Sequence, residues 1–276
     1  MVRGLDHLVV AVKNLEAAGR AYEAIGFTVT PENQHPWGTA NRLVQLDGFF
    51  IELLTVKEPK VIAETAGAAF SFGAFNRDFL KVREGASMLV LESRDAVQDR
   101  EDFEKAGLKL FDPFSFERVA NLPDGKTAKV AFELTILQDP LGPGIGYFTC
   151  HNKYPENFWK PAFQKHENGA RDIKTVFLVA GDPSDHHEFL GGFTGQREMR
   201  ATSLGLAVET PRGVVSVLNP DAYRALVGEE AADALQGRLP QIAAIEITST
   251  KVAEPKIIPA KQFFGLTLIL SPESKQ

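Results

Sequence analysis

Leu5-Asp6-His7-Leu8-Val9-Val10-Ala11-Val12 is an apolar strand carrying a histidine, and Phe49-Phe50-Ile51-Glu52-Leu53-Leu54 is an apolar strand carrying a glutamate. A carboxylate set among Phe, Ile and Leu has lost most of its water. Keeping it ionised costs several kcal/mol unless a cation or hydrogen-bond donors compensate. His7 is its natural companion, because histidine plus carboxylate is a common ligand set for a divalent metal. Alternation places His7 on one face with Leu5 and Val9, and Glu52 on one face with Phe50 and Leu54.

Between these strands Asn14 can cap a helix with apolar positions Leu15, Ala18, Tyr22 and Ile25, stopped at Gly26. Phe27-Thr28-Val29-Thr30 is a short second strand, and Arg42–Leu46 a third that turns through Asp47-Gly48 into the fourth. The order is βαβββ, and it recurs. Ser87–Leu91 opens a second unit, with a helix over Arg94–Ala106 and strands around Phe114–Arg118, Ala128–Ile136 and Gly146–Cys150, Pro123-Asp124-Gly125 being a turn. Ile173–Val179 opens a third unit, with a helix near Ser184–Gly191 and strands near Ala201–Glu209 and Val214–Leu218. The fourth is abbreviated to Ile242–Thr248 and Phe264–Leu270, after an accessory helix over Asp221–Gln236. Residues 57–85 interrupt the first pair with an Ala/Gly/Phe-rich insert, read as a short helix and loop on the sheet edge or as an aromatic lid. Asn152–Ala170 reads as a linker.

Length and composition bound the function. The 276 residues, 44% hydrophobic and 24% charged, suit a globular chain of two domains. A net charge of −6 without a Lys/Arg block argues against nucleic acid or an anionic membrane surface as partner. No segment approaches the ~20 apolar residues of a membrane span, and there is no apolar signal region. With the single Cys150, these features lead to the expectation of a cytoplasmic protein acting on a small-molecule substrate.

The chain resembles the vicinal oxygen chelate superfamily, which includes glyoxalase I, extradiol dioxygenases and bleomycin-resistance proteins. The resemblance rests on the βαβββ repeats, on Gly4–Val12 followed by Asn14-Leu15-Glu16 and Gly26-Phe27, on His35-Pro36-Trp37-Gly38-Thr39-Ala40-Asn41, on Ile51-Glu52-Leu53, and on Phe148–Trp159. It implies an α+β fold in which βαβββ units form curved mixed sheets paired into cups. A glyoxalase-like domain over residues 1–165 would hold the active cup, and 166–276 would be a degenerate second copy. Ligands in this superfamily come from equivalent positions on the first and fourth strands, which His7 and Glu52 match. The second unit departs from the pattern: aligning Gly26-Phe27 with Gly107-Leu108 sets Met88 opposite His7, and the last strand offers Cys150 and His151. A His7/Glu52/His151 site for Fe, Mn, Ni or Zn is the implied cofactor arrangement, with His35, Trp37, Asn41 and Phe50 facing substrate.

The resemblance implies a metal-dependent isomerase, lyase or dioxygenase in which Glu52 and His7 are catalytic. A different reading is a metal-free protein that sequesters an aromatic drug or metabolite. A third is a metal-free pocket in which His7 and Glu52 still bind substrate or act as acid and base. Four units in one chain can pair internally, so the cup is expected within one chain, any homodimer being accessory. His186-His187 point about 100° apart on a helix and read as surface and capping groups. Asp139–Gly144 reads as turn chemistry, and Cys150 as a buried small residue.

Overall fold

A computed structural model describes residues 1–121, 127–235 and 237–273. The first unit comprises β1 (Leu5–Ala11), α1 (Leu15–Ala24), β2 (Asn33–Gln34), β3 (Thr39–Gln45) and β4 (Phe50–Val56). Asn14 caps α1 by accepting from the Ala17 amide, and Gly26 leaves the helix at a φ of 89°. An insert carries α2 (Phe72–Val82) to the second unit: β5 (Gly85–Glu92), α3 (Ala96–Lys105), β6 (Lys109–Leu110), β7 (Phe114–Asn121), β8 (Thr127–Gln138) and β9 (Gly146–Asn152). The short α4 (Pro155–Phe158) follows. The second half runs β10 (Ala170–Val179), α5 (His187–Thr194), β11 (Arg200–Thr202), β12 (Gly205–Glu209), β13 (Val214–Leu218), α6 (Pro220–Val227), α7 (Glu229–Ala232), β14 (Gln241–Ser249), β15 (Lys256–Ile258) and β16 (Thr267–Pro272).

These strands form two mixed sheets. The first has the order β2-β3-β4-β1-β5-β9-β8-β6, with β7 paired to β8, and the second β11-β12-β13-β10-β14-β16-β15. Each sheet is two units joined through an antiparallel centre, β1 on β5 and β10 on β14, each of these strands also pairing in parallel with the last strand of its own unit. One apolar core lies between the sheets. It takes Leu8 and Val10 from β1, Leu178 from β10 and Ile245 from β14, with Phe103 of α3 and Phe193 of α5. The other face of each sheet carries its own cluster, so each half has a separate concave side.

The structure departs from the sequence reading at four places outside the cup. Phe27–Thr30 is not a strand, because Phe27 packs between Tyr22 and His166 and the Thr28 amide donates to His166 Nδ1. The accessory helix is two helices, broken where Gly228 takes a φ of 85°, and Gln236 at its expected end lies outside the described residues, as does the Pro123-Asp124-Gly125 turn. The last strand starts at Thr267 rather than Phe264, whose backbone is left-handed at φ 49°. His186 is not a surface group: it is buried, its Nδ1 3.4 Å from Asp139 Oδ2. Among the described residues no helix is long and apolar enough to cross a membrane.

Candidate functional site

The parallel pairing of β1 with β4 sets His7 beside Phe50 and Val9 beside Glu52, and a register irregularity in β1 falls between Leu5 and His7. His7 and Glu52 both line the first concave face, with His7 Nε2 4.0 Å from Glu52 Oε2. The His7 ring stacks on Phe50 at 4.2 Å and meets Phe148 edge-on at 5.5 Å. Asp6 Oδ1 lies 2.5 Å from His7 Nδ1. A carboxylate only accepts, so in the neutral ring the proton sits on Nδ1 and Nε2 offers its lone pair to the cup.

Glu52 is held from its other oxygen. Asn41 Nδ2 on β3 donates to Glu52 Oε1 at 2.6 Å and lies 3.3 Å from His35 Nε2. His35 Nδ1 in turn is 2.8 Å from Thr39 Oγ1, and its ring stacks on Trp37 at 4.7 Å. Burial holds the His35 imidazole below the usual histidine range, against the pull of Glu52 and with the help of Arg118, so it is neutral at pH 7 and can accept from Asn41. Two buried polar atoms on these cup residues, Asn41 Oδ1 and Trp37 Nε1, have no hydrogen-bond partner. Such groups are uncommon in folded proteins.

The rest of the wall is aromatic. Phe50, Phe72, Phe116, Phe132, Phe148 and Phe158 line it. Phe158 belongs to the segment read as a linker, which instead folds back so that Phe158 meets Phe50 at 5.1 Å and Phe132 at 5.8 Å. Sequence reasoning passed over Arg118, which also lines the cup. The signal was legible: alternation along Phe114-Ser115-Phe116-Glu117-Arg118 puts two phenylalanines and one cation on the same face of β7. The cavity volume is about 70 Å³, room for roughly five to seven water-sized groups. A larger groove of about 670 Å³ beside α5 is lined by the exposed His187 and Glu188 and contains none of this constellation.

The pairing registers identify the counterparts of the two polar residues. In the antiparallel pair His7 faces Val90 and Val9 faces Met88, so a local two-fold exchanges His7 with Met88 and Val9 with Val90. Glu52 sits beside Val9 and Phe148 beside Val90, which makes Phe148 the counterpart of Glu52. Both counterparts are apolar and buried. His151, the expected third ligand, is not in the cluster. It lies on the opposite face of β9 from Phe148 and Cys150, with Nδ1 3.5 Å from Glu133 Oε2. Cys150 faces the cup, its thiol pushed well up by burial and by the carboxylates of Asp6 and Glu52. In the second half the same registers give Thr175, Ser216, Ala244 and Ile269, and that concave face is filled by Tyr223 and Val227 of α6.

A divalent ion of the expected kind does not fit this donor set. Catalytic sites hold such ions with about three protein ligands, and here two of the four equivalent positions are Met and Phe. Among the described residues no group of three or more His, Cys, Asp or Glu side chains is placed to hold a metal.

Comparison with known proteins agrees with the architecture. A family model described as a glyoxalase-like domain matches residues 5–193. No curated protein matches the sequence. Among solved structures, a hypothetical protein from Staphylococcus aureus aligns over 99% of this chain and 100% of its own, with a TM-score of 0.75 at 14% identity. A xylose isomerase-like TIM barrel/4-hydroxyphenylpyruvate dioxygenase fusion protein aligns over 100% of this chain and 50% of its own, with a TM-score of 0.52 at 12% identity. A mutant of 4-hydroxymandelate synthase from Streptomyces coelicolor aligns over 100% and 94%, with a TM-score of 0.50 at 9% identity. At such identities the likeness is one of fold, that of the vicinal oxygen chelate proteins.

Proposed function

We propose, because this chain belongs to the glyoxalase-like domain family, that its first cup is a metal-independent proton-transfer site for a small oxygenated organic molecule. The observation that carries this is the pair of acceptors, His7 Nε2 and Glu52 Oε2, 4.0 Å apart. That gap is too long for a direct hydrogen bond and short enough for one hydrogen-bearing atom of a ligand to lie within reach of both. Asp6 orients the imidazole and Asn41 orients the carboxylate, so neither side chain must reorganise when a proton moves. Glu52 takes a proton from a carbon next to a carbonyl. His7 holds or relays the neighbouring hydroxyl proton. The class is that of an isomerase or lyase.

The test is exchange of carbon-bound hydrogen in deuterium oxide, followed by NMR on a panel of small aryl and alkyl ketones and 2-oxo acids. Wild-type protein should wash deuterium into the position next to the carbonyl, with or without chelator. Glu52→Gln should lower that rate by about 10²–10⁴ and leave the fold intact. Near-stoichiometric Fe, Mn, Ni or Zn in purified protein, lost in the same variant, would restore the metal-dependent reading. The aromatic wall favours a second reading, a binding protein for an aromatic drug or metabolite. Tight binding without exchange would establish that one.

A further inference from the structure

The cup holds one charge that the proton-transfer pair does not explain. Arg118 stands on the same face of β7 as Phe116 and lines the cavity together with Glu52 and His35. Among the described residues its hydrogen bond runs from Nη1 to Asn33 Oδ1 at 3.3 Å, and no carboxylate lies within ion-pair distance of it. Burial pulls its pKa down against the opposing pull of Glu52, so the guanidinium is partly desolvated, with no directly bound anion among the described residues. A half-buried cation in that state is costlier than one in water unless something else neutralises it. Asn33 engages one Nη1 hydrogen, which leaves donors on Nε and Nη2, an edge whose geometry matches the two oxygens of a carboxylate.

We infer that Arg118 is the anion-binding element of this cup, and that the substrate is a small, largely apolar acid whose carboxylate sits on Arg118 while its apolar body lies among Phe116, Phe132 and Phe50. This rests on the cup being the ligand site under the proposed function and narrows its substrate class. Charge explains the arrangement: a carboxylic acid brought beside Glu52 meets repulsion, and Arg118 offsets it at the same cavity. The small cavity, about 70 Å³, suits an acid whose reacting carbon is close to its carboxylate. Arg118 is then a specificity-determining residue, acting on affinity rather than on proton movement.

The test compares matched acids and amides, benzoate with benzamide and cinnamate with cinnamamide, by ligand-observed NMR and calorimetry on the full chain. Phenyl phosphate serves as an arm for the alternative anion. In wild type the acids should bind at least tenfold more tightly than the amides. Arg118→Gln should abolish that preference and leave amide binding unchanged, and Arg118→Lys should restore part of it. Glu52→Gln should keep or strengthen acid binding, which separates this subsite from the proton-transfer pair. Acids and amides binding equally well to wild type would overturn the assignment of Arg118 while leaving the cup as a ligand site. Failure of every probe to bind wild type would overturn both. Tighter binding of phenyl phosphate than of either acid, lost in Arg118→Gln, would overturn the carboxylate and leave a phosphate in its place.

Discussion

His7 and Glu52 were conspicuous in the sequence because each is a polar residue in an apolar strand, and the structure brings them to 4.0 Å on one concave face. His35, Trp37, Asn41 and Phe50 line the same cavity. His151 does not, because one residue along a strand changes the face, and β9 spends its cup positions on Phe148 and Cys150. Two outcomes follow from the buried groups. The Cys150 thiol, raised by burial and by neighbouring carboxylates, should react with a thiol reagent at pH 8 far more slowly in native than in denatured protein, as a timed colorimetric titration would show. His35 is depressed in the folded state, so the unfolded chain binds its proton first. Its contribution to stability is full above the ordinary histidine value of about 6.5 and is lost as pH falls from there through the folded pKa. His35→Gln should therefore flatten the fall of urea midpoint between pH 7 and pH 5. An unchanged slope would show that His35 carries none of it.

Helix and strand positions were largely readable from spacing and caps, as with Asn14 and Gly26 around α1. What spacing could not show was where the inserts dock. The 57–85 segment forms α2, which carries Phe72 into the cup, Phe72 meeting Phe148 at 5.3 Å. Its start is held by Ser71, whose hydroxyl accepts from the Ala74 amide and donates to the Ala63 carbonyl. Ser71→Ala should cost about 1 kcal/mol locally. The readout is amide exchange, faster over Phe72–Val82 with little change elsewhere, because this element is peripheral to the central sheet. The second half carries α6 and α7 at the corresponding place, between β13 and β14, and there the helices fill the concave face.

The two halves are joined by a shared core and by charge buried at their seam. Arg3 is 2% exposed, with Nε 2.7 Å from Asp99 Oδ1 on α3 and its backbone amide donating to the Thr194 carbonyl at the end of α5. Arg3→Met should destabilise the chain by about 3–5 kcal/mol, because it leaves the Asp99 carboxylate buried and unpaired. The double change Arg3→Met with Asp99→Leu should recover most of that loss in urea denaturation; no recovery would mean that packing, not charge, is what Arg3 supplies. Cutting the chain at residue 165 should expose Leu8, Val10 and Phe103, and the 1–165 fragment should aggregate where the full chain stays monodisperse in light scattering.

The repeated units, the curved-sheet fold, the first-unit pair and the emptied ligand positions of the second half could all be read from residue type and local period. Those properties depend on neighbours within a few residues, where strand alternation and helix caps operate. Three things depended on strand register and long-range packing: Phe148 as the counterpart of Glu52, His151 turned away, and Arg118 brought across to the cup from the second unit. Register is set by which sheet faces bury together, and a shift of one residue reverses every side chain. The chemistry of the cup was therefore open until the sheet closed around it.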